Sequence, residues 1–437
     1  MARAASAPIG WLGIARLGLV QAALGSIVVL MTSTLNRVMV VELTLPAIIP
    51  GVLVALHYAV QVLRPRLGYG SDMGGRRTPW IVGGMAALAL GGAGAAAATA
   101  LMAANLAAGL ALALLAFTLV GLGVGAAGTA LLTLLAKRVA PNRRGPAATV
   151  VWTMMIAGIV VTSVVAGKLL DPFSTGRLIA VVSGVSLLGL AVSTLAVWGM
   201  EGKAAPVPAT RAAATRQPFL PALCDVWAEP QARRFAVFVF VSMLAYSAQE
   251  LVLEPFAGAV FALTPGRSTG LTGMHHAGVL AGMGLVALGG VLGIGAMRTW
   301  TMGGCLGSAV AALALASCAL GGPEWAMRIT VVLLGVGNGA FAVSAIGAMM
   351  GLAGQGRASR EGTRMGLWGA AQALAFGAGG LLGTGASDLA RAALGAPAPA
   401  YAAVFVAEAA VFLLAARLAA GVFGGAARAP SGAVQAA

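Results

Sequence analysis

The sequence predicts an all-α polytopic membrane protein whose twelve transmembrane helices form two pseudosymmetric six-helix bundles, and three observations carry that prediction. The chain of 437 residues is 59% hydrophobic and only 9% charged, against roughly 25% charged in an ordinary soluble domain, and its mean hydropathy is +0.94. Uncharged runs of Ala, Leu, Gly and Val recur along it, at about the 20-residue length that crosses ~30 Å of hydrocarbon. A polar, proline-bearing stretch at 200–233 divides these runs into two sets. The same figures exclude a water-soluble globule, a disordered chain, a collagen-like repeat and a disulfide-stapled scaffold, because the 63 glycines follow no strict period of three and there are only 3 cysteines. The alternating ten-residue strands of an outer-membrane barrel are not visible. No apolar run separates Arg3 from a cleavage site, so no removable signal peptide is expected.

Apolar runs between charged punctuation place the first six spans near 17–36, 47–63, 80–102, 109–135, 147–170 and 178–198. The second six fall near 235–254, 271–297, 299–320, 329–352, 365–386 and 401–422. The chain therefore divides into an N-terminal bundle (1–199), a linker (200–233) carrying Lys203, Pro206, Arg211, Arg216, Pro218 and Pro221, and a C-terminal bundle (234–437). The halves echo one another. Leu122-Gly123-Val124-Gly125 recurs as Leu334-Gly335-Val336-Gly337, and Trp152 and Asp171 have counterparts in Trp368 and Asp388, all offset by close to half the chain. Duplicated halves of this kind commonly enclose a site near the bilayer midplane. Gly123 to Gly128 also matches a dinucleotide fingerprint in form, but no strand precedes it, and close helix packing through small residues explains it.

Orientation follows from the positive-inside rule. With both termini cytoplasmic, only Arg37, Lys168, Arg177, Arg267, Arg328 and Arg391 of the 27 lysines and arginines fall on the outer side. That asymmetry accounts for the formal net charge of +15 without nucleic acid, and basic loops of this kind meet anionic lipids. Cys305 and Cys318 share one predicted helix, about 20 Å apart at 1.5 Å per residue, too far for a disulfide. Cys224 lies in the linker.

Between spans two and three stands Gly68-Tyr69-Gly70-Ser71-Asp72-Met73-Gly74-Gly75-Arg76-Arg77. It resembles the signature loop of the major facilitator superfamily, Gly-x-x-x-Asp-x-x-Gly-Arg-Arg/Lys. The resemblance implies two bundles rocking about a central cavity, with Asp72, Arg76 and Arg77 latching the cytoplasmic face. The corresponding second-half loop keeps little beyond Gly295 and Arg298. Other transport signatures are missing: Phe117 stands where a typical member carries an Arg in span four, and span five lacks the Gly-Pro pair of drug antiporters.

At the outer end of span one, Thr34-Leu35-Asn36-Arg37-Val38-Met39-Val40-Val41-Glu42-Leu43 places charges in an apolar setting. Opposite it by pseudosymmetry, Glu250 and Glu254 of span seven share a helix face at i and i+4. Charges at that depth are costly unless paired, so Arg37 is expected to meet Glu250, Glu254 or Glu42. An ion pair closing an outer gate and a coupling or substrate-binding role both fit.

The same segment is similar to the hallmark of the PucC/bacteriochlorophyll-delivery family, a similarity continued by Leu56-His57-Tyr58-Ala59, Arg64-Pro65-Arg66 and Gly75-Arg76-Arg77-Thr78-Pro79-Trp80. The His-Tyr and Arg-Pro-Arg stretch resembles the branch encoded beside bacteriochlorophyll synthase. The resemblance implies a non-enzymatic assembly factor of the bacterial inner, intracytoplasmic photosynthetic membrane. Its implied cargo is bacteriochlorophyll, and its implied partners are antenna or reaction-centre polypeptides and the synthase. Two alternatives stay open: a facilitator-type transporter of an amphipathic small molecule, and a pigment-free scaffold for antenna assembly.

A bacteriochlorophyll needs an axial ligand for its magnesium, and neutral imidazole supplies one. The chain has three histidines: His57 inside span two, and His275 and His276, which the span boundaries put near the outer interface at the start of span eight. The alternatives are a histidine hydrogen-bonded within the bundle for His57 and solvated interfacial histidines for His275 and His276. Glu408, the deepest predicted acid, stands in span twelve as a further site or as a structural carboxyl. Trp80, Trp198 and Trp300 read as interfacial anchors, and Met154-Met155 and Met349-Met350 as packing filler. No metalloenzyme spacing, nucleophile triad or phosphate loop is present, so catalysis is not expected.

Overall fold

The computed structural model describes residues 9–64, 67, 76–140, 143–201, 224, 227–353 and 361–424. Twelve helices are found among them: α1 (Trp11–Val29), α2 (Ile48–Val60), α3 (Thr78–Met102), α4 (Leu106–Arg138), α5 (Arg144–Leu170), α6 (Thr175–Val197), α7 (Pro230–Phe261), α8 (Pro265–Leu292), α9 (Met297–Ala319), α10 (Glu324–Ala353), α11 (Glu361–Leu394) and α12 (Pro397–Gly424). Ten spans among the described residues are long and apolar enough on their own to cross a membrane, and the shorter Ile48–Leu63 is also apolar.

Local chemistry sets the helix starts. Asn105, Ser174 and Thr264 accept hydrogen bonds from the backbone N–H three residues on, opening α4, α6 and α8. Proline occupies the first turn of α3, α7 and α8, where its missing N–H costs nothing. Gly293, at φ +68°, closes α8 in the left-handed region that favours glycine.

Helices α1–α6 bury one apolar core, joined from α7 by Leu251. Helices α7–α12 bury two, one around Phe235, Trp368 and Phe412, the other around Phe256, Tyr401 and Phe405. Across the halves, α2 packs on α11 and α5 on α8, the arrangement expected of pseudo-equivalent pairs. The duplicated glycine motif packs helices closely, as read from sequence: a Cβ on Gly123 would fall 2.6 Å from the Gly84 carbonyl of α3, and one on Gly337 2.8 Å from the Ser308 nitrogen of α9.

Two sequence readings of depth change. The first span is longer than 17–36, because α1 continues through π-helical turns at Leu30–Leu35 and Val38–Glu42. Such wide turns recur at functional sites. The eighth helix begins at Pro265, so His275 and His276 lie about three turns inside it and are 3% and 2% exposed. The predicted boundary missed this because Gly266, Ser268, Thr269 and Thr272 are polar or small, yet all are buried between helices.

Candidate functional site

The polar face of α8 and the π-helical end of α1 meet between the halves. Thr34 and Thr269 join hydroxyls at 2.9 Å. Asn36 donates to the Leu251 carbonyl of α7 at 2.6 Å, and Arg37 Nη2 to the Leu263 carbonyl at 2.5 Å. Arg37 also forms an ion pair with Glu42, whose carboxylate is partly exposed while the guanidinium is buried. Gly258 is the floor beneath that guanidinium, since a Cβ there would meet Arg37 Nε at 3.0 Å. Glu254 is wholly buried and accepts from Thr272 and, at 3.5 Å, from Thr269, with Arg37 close enough to act on its charge. Thus Arg37 engages Glu42 directly and Glu254 through space. Glu250 lies instead within electrostatic range of Tyr58 and Tyr246.

A row of rings crosses from one half to the other. It runs from His57 to Tyr58 of α2 (4.5 Å between centroids), to Phe376 of α11 (5.4 Å), to Tyr246 of α7 (5.9 Å), to His275 (6.3 Å) and to His276 (5.1 Å) of α8. These spacings are those of favourable tilted and edge-to-face contacts. The row connects the three histidines that the sequence singled out on pseudo-equivalent helices. Tyr246 and Phe376 were missed, although Tyr58 and Tyr246 are two of only 4 tyrosines and lie within apolar runs.

Hydrogen bonds distinguish the three imidazoles. Arg64 donates to Gln61 Oε1, which turns the Gln61 amide nitrogen toward His57 Nε2 at 2.8 Å. Ser308 likewise occupies Asn338 Oδ1 at 2.8 Å, so the Asn338 amide donates to His275 Nε2 at 3.2 Å, beside the Gln249 amide at 3.0 Å. In both rings the Nε2 lone pair is therefore already accepting. His276 is different. Its Nδ1 stands 3.0 Å from the Thr272 carbonyl, and a carbonyl can only accept, so Nδ1 carries the proton. The neutral ring then presents the Nε2 lone pair, the tautomer that ligates a metal when Nδ1–H is held by a backbone carbonyl.

Other predicted positions fall away from this row. Glu408 is 5% exposed, and neither carboxylate oxygen finds a hydrogen-bond partner among the described residues. Gly68, Asp72 and Gly75 of the signature loop lie outside the described residues. Arg76 is exposed. The Arg77 and Thr78 backbone nitrogens donate to Glu201 Oε2 at 2.7 and 2.6 Å, joined by the Thr78 hydroxyl at 2.8 Å. Arg16 and Arg138 hold the neighbouring Ala196 and Met200 carbonyls at 2.8 Å each. The start of the linker is thereby tied to the end of the first bundle, an anchor that sequence reading missed because Glu201 lies far from the loop.

Fold and site together define a two-bundle membrane protein with the architecture of the major facilitator transporters. The peptide transporter POT superposes with a TM-score of 0.68 at 14% identity, covering 98% of each chain. A bacterial homologue of the lysosomal transporter Spinster gives 0.67 at 15%, covering 95% of this chain and 96% of that one. More particularly, the chain belongs to the PUCC protein family, whose match spans residues 34–426. It is 53% identical to the bacteriochlorophyll synthase 44.5 kDa chain of Rhodobacter capsulatus over 97% of this chain and 98% of that protein. It is 32% identical to protein PucC of Cereibacter sphaeroides over 91% and 89%.

Proposed function

We propose that this protein is a bacteriochlorophyll-handling assembly factor that delivers pigment to light-harvesting or reaction-centre apoproteins, with no catalytic step of its own. It works in the bacterial inner, intracytoplasmic photosynthetic membrane with both termini cytoplasmic, alongside bacteriochlorophyll synthase. The observation that carries this reading is the row of six rings between the bundles, ending at an imidazole whose Nε2 is presented. A chlorin magnesium needs one axial nitrogen and a flat aromatic setting, so His276 is the ligand, with His275 beside it and Tyr246 and Phe376 continuing the row beyond. Family membership and the printed name of the 53% identical relative support the pigment class.

The test is to purify the protein in mild detergent from a pigment-making host, beside His276→Ala and His57→Ala, and to measure bound pigment and its absorption. Pigment near one equivalent in the wild type, lost in His276→Ala and retained in His57→Ala, supports the reading. A colourless wild type carrying antenna or synthase polypeptides would replace it with a scaffold. The buried Glu254, Thr272 and Arg37 cluster supports one second reading, a transporter for an amphipathic small molecule. Flux in vesicles abolished by Glu254→Gln but indifferent to His276→Ala would select it.

A further inference from the structure

A groove of about 360 Å³ opens between α7 and α12, remote from the row of rings. Arg233 and Arg234 reach it from the first turns of α7, and Arg417 from the closing turns of α12. Val237, Leu414, Leu418 and Gly421 line the rest, and Val237 and Leu414 are 38% and 48% exposed on the outside of the bundle. All three arginines are exposed. Among the described residues no hydrogen bond or ion pair joins any of the three guanidinium groups to the protein.

We propose that this groove is a binding site for an anionic phospholipid, with its phosphate held between Arg233, Arg234 and Arg417 and an acyl chain laid along Val237 and Leu414. The first argument is charge complementarity. Three guanidiniums from two helices converge with no acid among the described residues that line the groove, and a planar guanidinium pairs with phosphate oxygens two at a time. Separate self-repelling cations on a helix pair are better accommodated by a shared anion than by water alone. The second argument is amphipathicity and place. The charged rim lies where α7 begins and α12 ends, beside the linker, and the apolar wall continues from it toward the middle of the span. A membrane lipid has the same sequence of groups along its length. A soluble phosphate would satisfy the rim and leave the wall without a partner, and a zwitterionic lipid would carry its own cation against the arginines.

Native mass spectrometry of the purified full-length chain, delipidated and then titrated with phosphatidylglycerol or phosphatidylcholine, tests this. The wild type is expected to bind one phosphatidylglycerol in preference to phosphatidylcholine, undisplaced by inorganic phosphate. Arg233→Gln/Arg417→Gln should weaken that binding by about fivefold for each arginine removed, while Arg143→Gln/Arg298→Gln, with the same change in net charge, should bind as the wild type does. Arg233→Lys/Arg417→Lys should recover part of the loss, which separates a lost contact from a misfolded protein. Equal binding of the two lipids, displacement by phosphate, or equal losses in both glutamine variants would overturn the proposal.

Discussion

Helices α2 and α8 occupy pseudo-equivalent places, each packed on a helix of the other half, yet each is held at its start by the opposite charge. Asp388 of α11 accepts from the Ala47 and Ile48 backbone nitrogens at 2.9 and 2.8 Å, closing the N-terminus of α2 with a carboxylate. Its counterpart Asp171 lies against Gly266 in the first turn of α8, where a Cβ would meet Oδ1 at 2.7 Å, but that oxygen finds no hydrogen-bond partner among the described residues. Across α8 the work is done by Arg37 of α1, which grips the Leu263 carbonyl just before the helix. Their interiors diverge likewise. His57 and His275 each have a backbone carbonyl covered by a glycine, Gly121 or Gly335, and each has its Nε2 occupied by amides. Only α8 adds a second imidazole, His276. The two halves thus share packing positions and differ in polar chemistry.

The largest expected effect falls on the α8 side. Arg37→Met removes the partner of Glu42 and leaves the Leu263 carbonyl and Glu254 without their cation, a loss of about 3 kcal/mol or more for a buried charged contact. Thermal unfolding in detergent measures it, and a change within error would mean that the guanidinium does not hold α8. Next comes Asp388→Ala, which deletes a helix cap and should cost about 1–2 kcal/mol. Asp171→Ala should cost less than about 0.5 kcal/mol, in the range of substitutions that break no bond. Equal losses at the two aspartates would erase the asymmetry between the helix starts.

Smaller effects sharpen the comparison of the interiors. His276→Ala should lower pigment retention at least about tenfold, equivalent to about 1.4 kcal/mol, as read by extraction and absorbance. Gln61→Leu frees His57 Nε2 while leaving α8 intact, and is expected to change retention by less than about twofold, since a free Nε2 on α2 lacks the backbone contact that orients His276. A gain of pigment in Gln61→Leu would move the ligand to α2.

Much of this architecture was legible in advance. Each of the twelve predicted spans overlaps a helix among the described residues, because a helix in lipid must satisfy its own backbone bonds over a nearly fixed length, and that requirement is written in consecutive apolar residues. The histidines were legible as rare groups in apolar runs. Gln61, Gln249 and Asn338 carried the same signal of polar side chains in a span, and would have been found by it. Phe376 carried none, since an aromatic residue in a membrane helix is ordinary until its neighbours are known.

By itself, then, the sequence determined the class of protein, the number of helices, the duplication and the short set of polar residues that must find partners inside it. Tertiary structure alone decided the pairings: Arg37 with Leu263 and Glu42, Asp388 with the start of α2, Glu201 with the start of α3, and Tyr58 with Phe376 and Tyr246. The physical reason lies in range. Hydrophobic length acts within one segment and can be read along the chain, whereas hydrogen bonds and ring contacts act over a few ångströms between residues far apart in sequence. Of the three imidazoles, His57 and His276 are set by residues one turn away on their own helices, Gln61 and Thr272, whereas only the donors that other helices bring, Gln249 and Asn338, occupy Nε2 of His275.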